Sequence, residues 1–413
     1  MDSRPITKYL SRYAEPESRY IETFSKKPSY HNSVLIPVYC ERTDFLEHLN
    51  TDLPNSTGKI LIVLISNHPS EVSQVKRREA ISAHKEMRLW LGDSAVWQAG
   101  NLSLFEQNNY DVLLVNRTDE YAIPLNQGVG LARKIGADLI LSLIRSGSIL
   151  SPWIMSTDAD TLIPRNYFSI NPTANTSGIT YPFEHISQSS DNEKNFTKKR
   201  DIDAATKLYE KSINHYVAGL KFAGSEYAFS TLGSCLAIHA ESYAQVRGFP
   251  KRAGGEDFYL LNKLAKVGDI ENGEGLPLLK IKARESNRVP FGTGPAVTKL
   301  LASPNMEHET IFYHPEIFFQ LKQVLEEIRK RPENLTAFKV SEKSMNALLH
   351  IGIQKALEHV RKQKLTGQQY DLHMRNWMDG FKTLKFVHYL RNMGDLPYYP
   401  NLTLDQLEEY KFF

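Results

Sequence analysis

Three continuous apolar runs, spaced apart by helical stretches, constrain this chain more than anything else in it. Residues 34–39, 60–65 and 111–116 are built mostly from Val, Leu and Ile, with little polar alternation. Side chains of a strand point alternately to its two faces, so a run that is apolar throughout is covered on both. Strands of that kind joined through helical segments imply crossovers and a mostly parallel sheet. Pro37 lies near the end of the first run, where a strand tolerates it. From about residue 300 the pattern changes to amphipathic helices, at 315–331, 341–364 and 368–393, and no strand pattern returns. The expected organisation is an N-terminal arm over 1–30, an α/β domain over 31–300 and a helical extension over 301–413.

The totals narrow the chemistry. A net charge of +3 over 413 residues, evenly spread, argues against a nucleic-acid partner. Cys40 and Cys235 lie far apart and make neither a metal spacing nor a disulfide framework, which fits a reducing compartment. The N-terminus carries no apolar signal segment, and the longest apolar stretch, 139–150, is broken by Arg145 and too short to span a bilayer. The expectation is a cytoplasmic protein without a transmembrane segment.

Two acidic motifs stand out against this frame. A short apolar run at 153–156 climbs into Asp158-Ala159-Asp160. In extended backbone the two aspartates face the same side, and converging carboxylates call for a cation or donors between them. Hard oxygen ligands suit Mg²⁺ or Mn²⁺. A polar turn capped by Asp158 is the plainer reading of the same three residues. The second motif is Gly254-Gly255-Glu256-Asp257, opening a helix whose apolar stripe is Phe258, Leu261, Leu264 and Ala265 and whose end is expected at Gly268. Acidic residues in a first turn complement the helix dipole, which would hold their pKa values low. Two glycines just before them allow a close approach that capping alone does not need.

Between these motifs, Gly128 and Gly130 open a helix and invite a dinucleotide-binding reading. It fails, because Arg133 stands where the third glycine belongs and the second strand ends in Asn67 rather than an acidic residue. A better reading turns Arg133 and Lys134 toward phosphate, with a solvated basic face the alternative for Lys134. Residues 187–203 are polar without apolar period and read as a mobile loop, followed by a helix over 204–220 and a strand over 233–238. Residues 284–295 form a glycine-punctuated basic loop that either closes over a diphosphate or makes a tight turn.

Taken in order, these motifs resemble a GT-A glycosyltransferase of the family 2 type. The strand at 34–39 resembles that family's opening strand, Asp158-Ala159-Asp160 its Asp-x-Asp motif, and Gly254-Gly255-Glu256-Asp257 the Gly-Gly-Glu-Asp of the galactosyltransferase-like group. The helix from Gly128 through Arg133 and Lys134 is only loosely similar to its Gly-x-x-x-Ala-Arg-Asn segment. Cys40 stands where asparagine is common, and Asn67 near where an aspartate usually holds the nucleobase. The resemblance covers 33–295 and leaves the C-terminal helices outside it.

It implies a three-layer α/β/α GT-A fold and metal-dependent transfer of a sugar from a UDP- or GDP-sugar to a hydroxyl of a glycan, lipid or small-molecule acceptor. Asp158 and Asp160 would hold Mn²⁺ or Mg²⁺, with His314 as third ligand. Arg133, Lys134, Asn67 and Arg288 would bind the donor, and Asp158 could instead support its ribose. Asp257 would be the base of an inverting reaction, with Glu256 holding the acceptor. Independently of the resemblance, the loop at 187–203, charged and without apolar period, is expected to order over bound nucleotide, and the C-terminal helices to pack on the sheet domain or on a partner, self-association included. Two other readings compete. Asp158 and Asp160 followed by Thr161 also fit a haloacid-dehalogenase-type phosphatase, although that motif normally opens its domain. A non-catalytic glycan-binding or scaffold relative of the transferases is the other.

Overall fold

The computed structural model describes residues 3–24, 30–52, 58–92, 94–187, 196–273, 275–286, 288–290, 292–392 and 398–410. The chain divides into two compact units, Met1–Lys199 with Thr231–Pro295, and Arg200–Ser230 with Ala296–Phe413.

The first unit carries strands β1 (Tyr30–Val38), β2 (Lys59–Asn67), β3 (Trp97–Ala99), β4 (Leu102–Glu106), β5 (Tyr110–Arg117), β6 (Trp153–Ser156), β7 (Thr161–Leu162), β8 (Thr176–Thr180), β9 (Phe183–Ile186), β10 (Leu236–His239), β11 (Asp269–Asn272) and β12 (Leu279–Lys282). Its helices are α1 (Arg4–Arg12), α2 (Asp44–Asp52), α3 (Gln74–Leu91), α4 (Gly128–Ser146), the start of α5 (Phe196–Phe222), α6 (Ala240–Gln245) and α7 (Glu256–Leu264). Among the described residues, one sheet of nine strands runs in the order β11-β8-β10-β6-β1-β2-β5-β4-β3, and β7-β12-β9 form a small second sheet. The centre β6-β1-β2-β5 is parallel, whereas β10 and β4 run antiparallel to their neighbours.

The three apolar runs form the strands β1, β2 and β5, and both faces of each are covered. Ile60, Ile62 and Leu64 of β2 join Val34 and Ile36 of β1, Phe45 and Leu49 of α2, and Met87 of α3 in one core. The alternate residues face α4, where Gly136 comes so close that a Cβ would stand 2.7 Å from Ile65 Cδ1. Each such side chain, fully buried, contributes about 1.5–3 kcal/mol. The result is a helix layer on each side of a sheet, the α/β architecture expected. The remaining strands are short or only partly covered, β7 being two residues and β11 largely outside the core, so no long apolar run marks them. Helix α7 ends at Leu264, and Gly268 is not its left-handed cap. A Cβ at Gly268 would meet Asn175 O at 2.6 Å, so close packing excludes a side chain there.

The second unit is helical: the rest of α5, then α8 (Thr293–Leu301) from Ala296, α9 (Pro315–Arg329), α10 (Glu342–His350), α11 (Ile353–Gln363), α12 (Gly367–Trp377), α13 (Gly380–Asn392) and α14 (Leu404–Glu409). Phe318, Leu321 and Val324 of α9 pack with Leu348, Leu357, Phe386 and Val387. The helix expected over 341–364 is two helices, because Gly352 takes a left-handed φ of 88° between them. That expected over 368–393 breaks between Trp377 and Gly380. The second unit begins beside the boundary expected at 300, but it also draws in Arg200–Ser230. Of the loop expected over 187–203, residues 188–195 lie outside the described residues; from Phe196 the chain is already helical. Among the described residues no helix is long and apolar enough to cross a membrane.

Candidate active site

The chain runs from β1 outward through β2 to β5, then returns through α4 to β6 on the opposite flank of β1. This reversal between β1 and β6 is a topological switch point, and the crevice outside the carboxyl ends of such strands is where open α/β sheets bind ligands. Glu41 follows β1 there, and Asp158 and Asp160 follow β6. Cys40, just before Glu41, takes a φ of 51°, a left-handed conformation that a non-glycine residue rarely adopts without asparagine's local hydrogen bonds. Because β10 runs antiparallel to β6, with Leu236 opposite Ser156, the Gly233 backbone enters at the same end. Pairing of β12 with β7, extended by Lys282 N donating to Asp160 O at 2.9 Å, carries Arg284 past Asp160.

One side chain draws the two acidic motifs together. The buried Arg133 guanidinium donates from Nη2 to Asp158 Oδ1 at 2.7 Å and from Nε to Glu256 Oε1 at 2.9 Å. Its Nη1 reaches Ser156 Oγ at 2.7 Å and Gly233 O at 2.9 Å. Gly233 admits this packing, since a Cβ would stand 2.5 Å from Arg133 Nη2. Its amide in turn donates to Asp257 Oδ2 at 2.9 Å, while Asp257 Oδ1 accepts from Phe258 N at 2.7 Å. Both oxygens of Asp257 are thereby oriented by backbone donors.

The glycines opening α4 serve the same assembly. Gly130 N donates to Arg252 O at 3.0 Å, and a Cβ on Gly130 would lie 2.5 Å from Pro250 O. A Cβ on Gly128 would lie 2.7 Å from Ala253 Cα. They seat the start of α4 against the segment leading into Gly254-Gly255, and Gly255 caps α7 with a left-handed φ of 70°.

Electrostatics here run against the low pKa values expected from the dipole of α7. Burial, reinforced by Glu256, pushes Asp257 up to about 7 although the Arg133 charge opposes it. Burial also raises Glu256, with Arg133 again pulling the other way. Desolvation outweighs a half-charge dipole at a buried helix start. Asp160 is raised by burial and by Asp158 beside it, against the pull of Arg284.

A second knot of charge lies around Asp160. Arg284 donates from Nη2 to Asp160 Oδ2 and from Nη1 to Glu41 Oε1, each at 2.7 Å. Glu41 also pairs with Arg288. Among the described residues, the two knots bring five carboxyl groups against three guanidinium groups, an acidic excess suited to a cation. Asp158 keeps 34% of its side chain exposed. Among the described residues, the buried Thr157 and Thr161 hydroxyls flanking the pair find no hydrogen-bond partner. Among the described residues no three His, Cys, Asp or Glu side chains gather into a closed metal cage. The donor set therefore fits a hard cation held by two carboxylates and completed by substrate oxygens and water.

No protein-family model matches the chain, and no curated protein matches it. Among solved structures it is similar to residues 1–349 of S. aureus TarS in complex with UDP-GlcNAc, at 10% identity and a TM-score of 0.35 over 84% of this chain and 91% of that one. It is also similar to the mannosyltransferase PcManGT from Pyrobaculum calidifontis in complex with GDP-Man and Mn²⁺, at 12% identity and a TM-score of 0.30 over 92% and 94%. Likeness this distant carries no assignment. The functional reading rests on the site.

Several residues expected to bind the donor do other work. Arg133 is spent on carboxylates and a carbonyl rather than turned toward phosphate. Lys134, on the next helical position, points into the core, where its Nζ lies 2.9 Å from Asp138 Oδ2 and bonds Tyr9 Oη. Asn67 donates from Nδ2 to Val38 O at 3.1 Å and Ile65 O at 2.9 Å, knitting the ends of β1 and β2, so neither amide hydrogen is left for a nucleobase. His314 belongs to the second unit, where Nδ1 accepts from Glu316 N at 3.1 Å to cap α9 and Nε2 meets Tyr410 Oη at 3.0 Å. With Nδ1 accepting, Nε2 carries the proton, and the ring has no lone pair to give a metal. Glu41, Ser156 and Gly233 were not singled out by sequence reasoning. Only Glu41 carries a sequence signal, an acid just past the first strand.

Proposed function

We propose that this chain is a GT-A-type glycosyltransferase that moves a sugar from a nucleotide-diphosphate sugar, with UDP or GDP as the nucleotide, to an acceptor hydroxyl with inversion. The observation that carries this is the Arg133 guanidinium joining Asp158 to Glu256, which gathers two carboxylate motifs, 98 positions apart in the chain, at the switch point of the sheet. A capping turn needs no such partner.

In this reading Asp158 and Asp160 hold Mn²⁺ or Mg²⁺. When bound, that cation supplies positive charge to the departing diphosphate. The acceptor oxygen attacks the anomeric carbon from the face opposite the diphosphate. The bond to the diphosphate oxygen breaks with its electron pair, and Asp257 takes the acceptor's proton. A carboxyl whose pKa lies near 7 is about half ionised at neutrality yet basic enough to hold that proton, which is what general-base catalysis asks of it. Glu256, fixed by Arg133, keeps the first turn of α7 in place and hydrogen-bonds the acceptor.

A thermal-shift panel of UDP-, GDP- and ADP-sugars with Mn²⁺ tests the reading, because a ligand of the native state raises the melting temperature. At least one donor should raise it with Mn²⁺ and fail to do so in Asp160→Asn. If none does, the chain is not a nucleotide-sugar enzyme.

A further inference from the structure

We infer that Arg284 acts as an internal counter-charge on Asp160, closing it to a divalent cation until the donor diphosphate draws the guanidinium away. This rests on the reading of Asp160 as a cation ligand.

Arg284 spans two carboxylates, Asp160 and Glu41, with one donor nitrogen on each at 2.7 Å. A divalent cation and a guanidinium compete for one carboxylate, because each carries the positive charge that the other would repel. Asp160 can therefore be held by Arg284 or by the cation. Arg284 has somewhere to go: its bond to Glu41 survives the loss of Asp160, so the side chain stays tethered beside the site with Nη2 released. A planar guanidinium is a good phosphate ligand.

Within the knot around Asp160 the charges balance before a cation arrives. Asp160 and Glu41 neutralise Arg284 and Arg288 as they stand. Once a divalent cation takes Asp160, the same knot carries a positive excess matched to a diphosphate. Cation and diphosphate would then bind with positive coupling, each favouring the arrangement the other needs. Arg288 shares Glu41, and among the described residues it makes no ion pair with Asp160, which supplies an internal control.

The test measures two affinities of the full chain separately, for Mn²⁺ alone and for inorganic pyrophosphate alone. Arg284→Gln should bind Mn²⁺ about fivefold more tightly, the size expected from removing a partly exposed competing ion pair. The same variant should bind pyrophosphate about tenfold more weakly, as loss of a charge-assisted phosphate contact implies. Arg288→Gln, which removes the same charge nearby without freeing Asp160, should change Mn²⁺ affinity much less. Asp160→Asn should lose Mn²⁺ binding. If Arg284→Gln leaves Mn²⁺ affinity unchanged or weaker while Asp160→Asn abolishes binding, the counter-charge role is wrong and the cation site stands. Equal tightening in Arg284→Gln and Arg288→Gln would reduce the effect to a general field and overturn the inference too. Undiminished Mn²⁺ binding in Asp160→Asn would instead remove the reading on which both rest. Should Arg284→Gln fail to fold, Arg284→Lys serves: one ammonium does not span both carboxylates as the fork does, so Mn²⁺ should again tighten, and an unchanged affinity counts against the role.

Discussion

The base role proposed for Asp257 depends on its surroundings. Enclosure and the neighbouring Glu256 raise its carboxyl to about 7, above the ordinary aspartate value of 3.8. Only the ionised form accepts a proton, so kcat/KM should fall about tenfold for each pH unit below that value and level off above it. A pH–rate profile with no acidic limb near 7 would remove Asp257 from the role. Asp257→Asn should lower kcat by about a hundredfold or more. Because both carboxyl oxygens accept backbone N–H groups, the amide of Asn turns a donor toward one of them, so a modest loss of stability should accompany the loss of rate. Arg133→Met has a different signature. It leaves Glu256 buried without its ion pair, at a cost of about 3–5 kcal/mol, and a denaturation midpoint close to the native one would show that Arg133 is not the clamp. None of this electrostatics was legible in the residues, because an acidic first turn looks the same whether solvated or enclosed.

At the scale of elements, what could be read in the sequence followed coverage. The middles of β1, β2 and β5 are apolar because helices cover both faces there, and those runs were plain. β7 has two residues and acquires its place only by pairing with β12, a partner more than a hundred positions away that no local pattern announces. Gly128 and Gly130 were visible as a motif, but their purpose was not: they fit the start of α4 against Pro250, Arg252 and Ala253. Gly130→Ala forces a methyl to within 2.5 Å of Pro250 O. Overpacking of this kind costs about 1–3 kcal/mol, and it should lower both Tm and donor turnover, since α4 carries Arg133. A Gly130→Ala protein with unchanged Tm would mean that the contact is not as tight as described.

Over the molecule as a whole, the N-terminal arm belongs to the first unit's core. Asp138 of α4, fully buried, accepts from Tyr9 Oη at 2.6 Å, Tyr243 Oη at 2.9 Å, Glu15 N at 2.8 Å and Lys134 Nζ at 2.9 Å. The pairing of Lys134 with Tyr9, 125 positions earlier, is why a lysine that looked fit for phosphate turns inward instead. Tyr9→Phe deletes one hydroxyl from this network and should cost about 1–3 kcal/mol, the penalty for stranding buried polar partners, measurable by chemical denaturation. The claim that ties these scales together is catalytic, and release of nucleoside diphosphate tests it most directly. With UDP-, GDP- and ADP-sugars in turn, Mn²⁺ or Mg²⁺, and a mixture of hydroxyl acceptors, the native chain should release the diphosphate from one donor. That release should vanish with chelator and in Asp160→Asn, and drop about a hundredfold or more in Asp257→Asn. Turnover at the native rate in both variants, or none from any donor, would contradict the account.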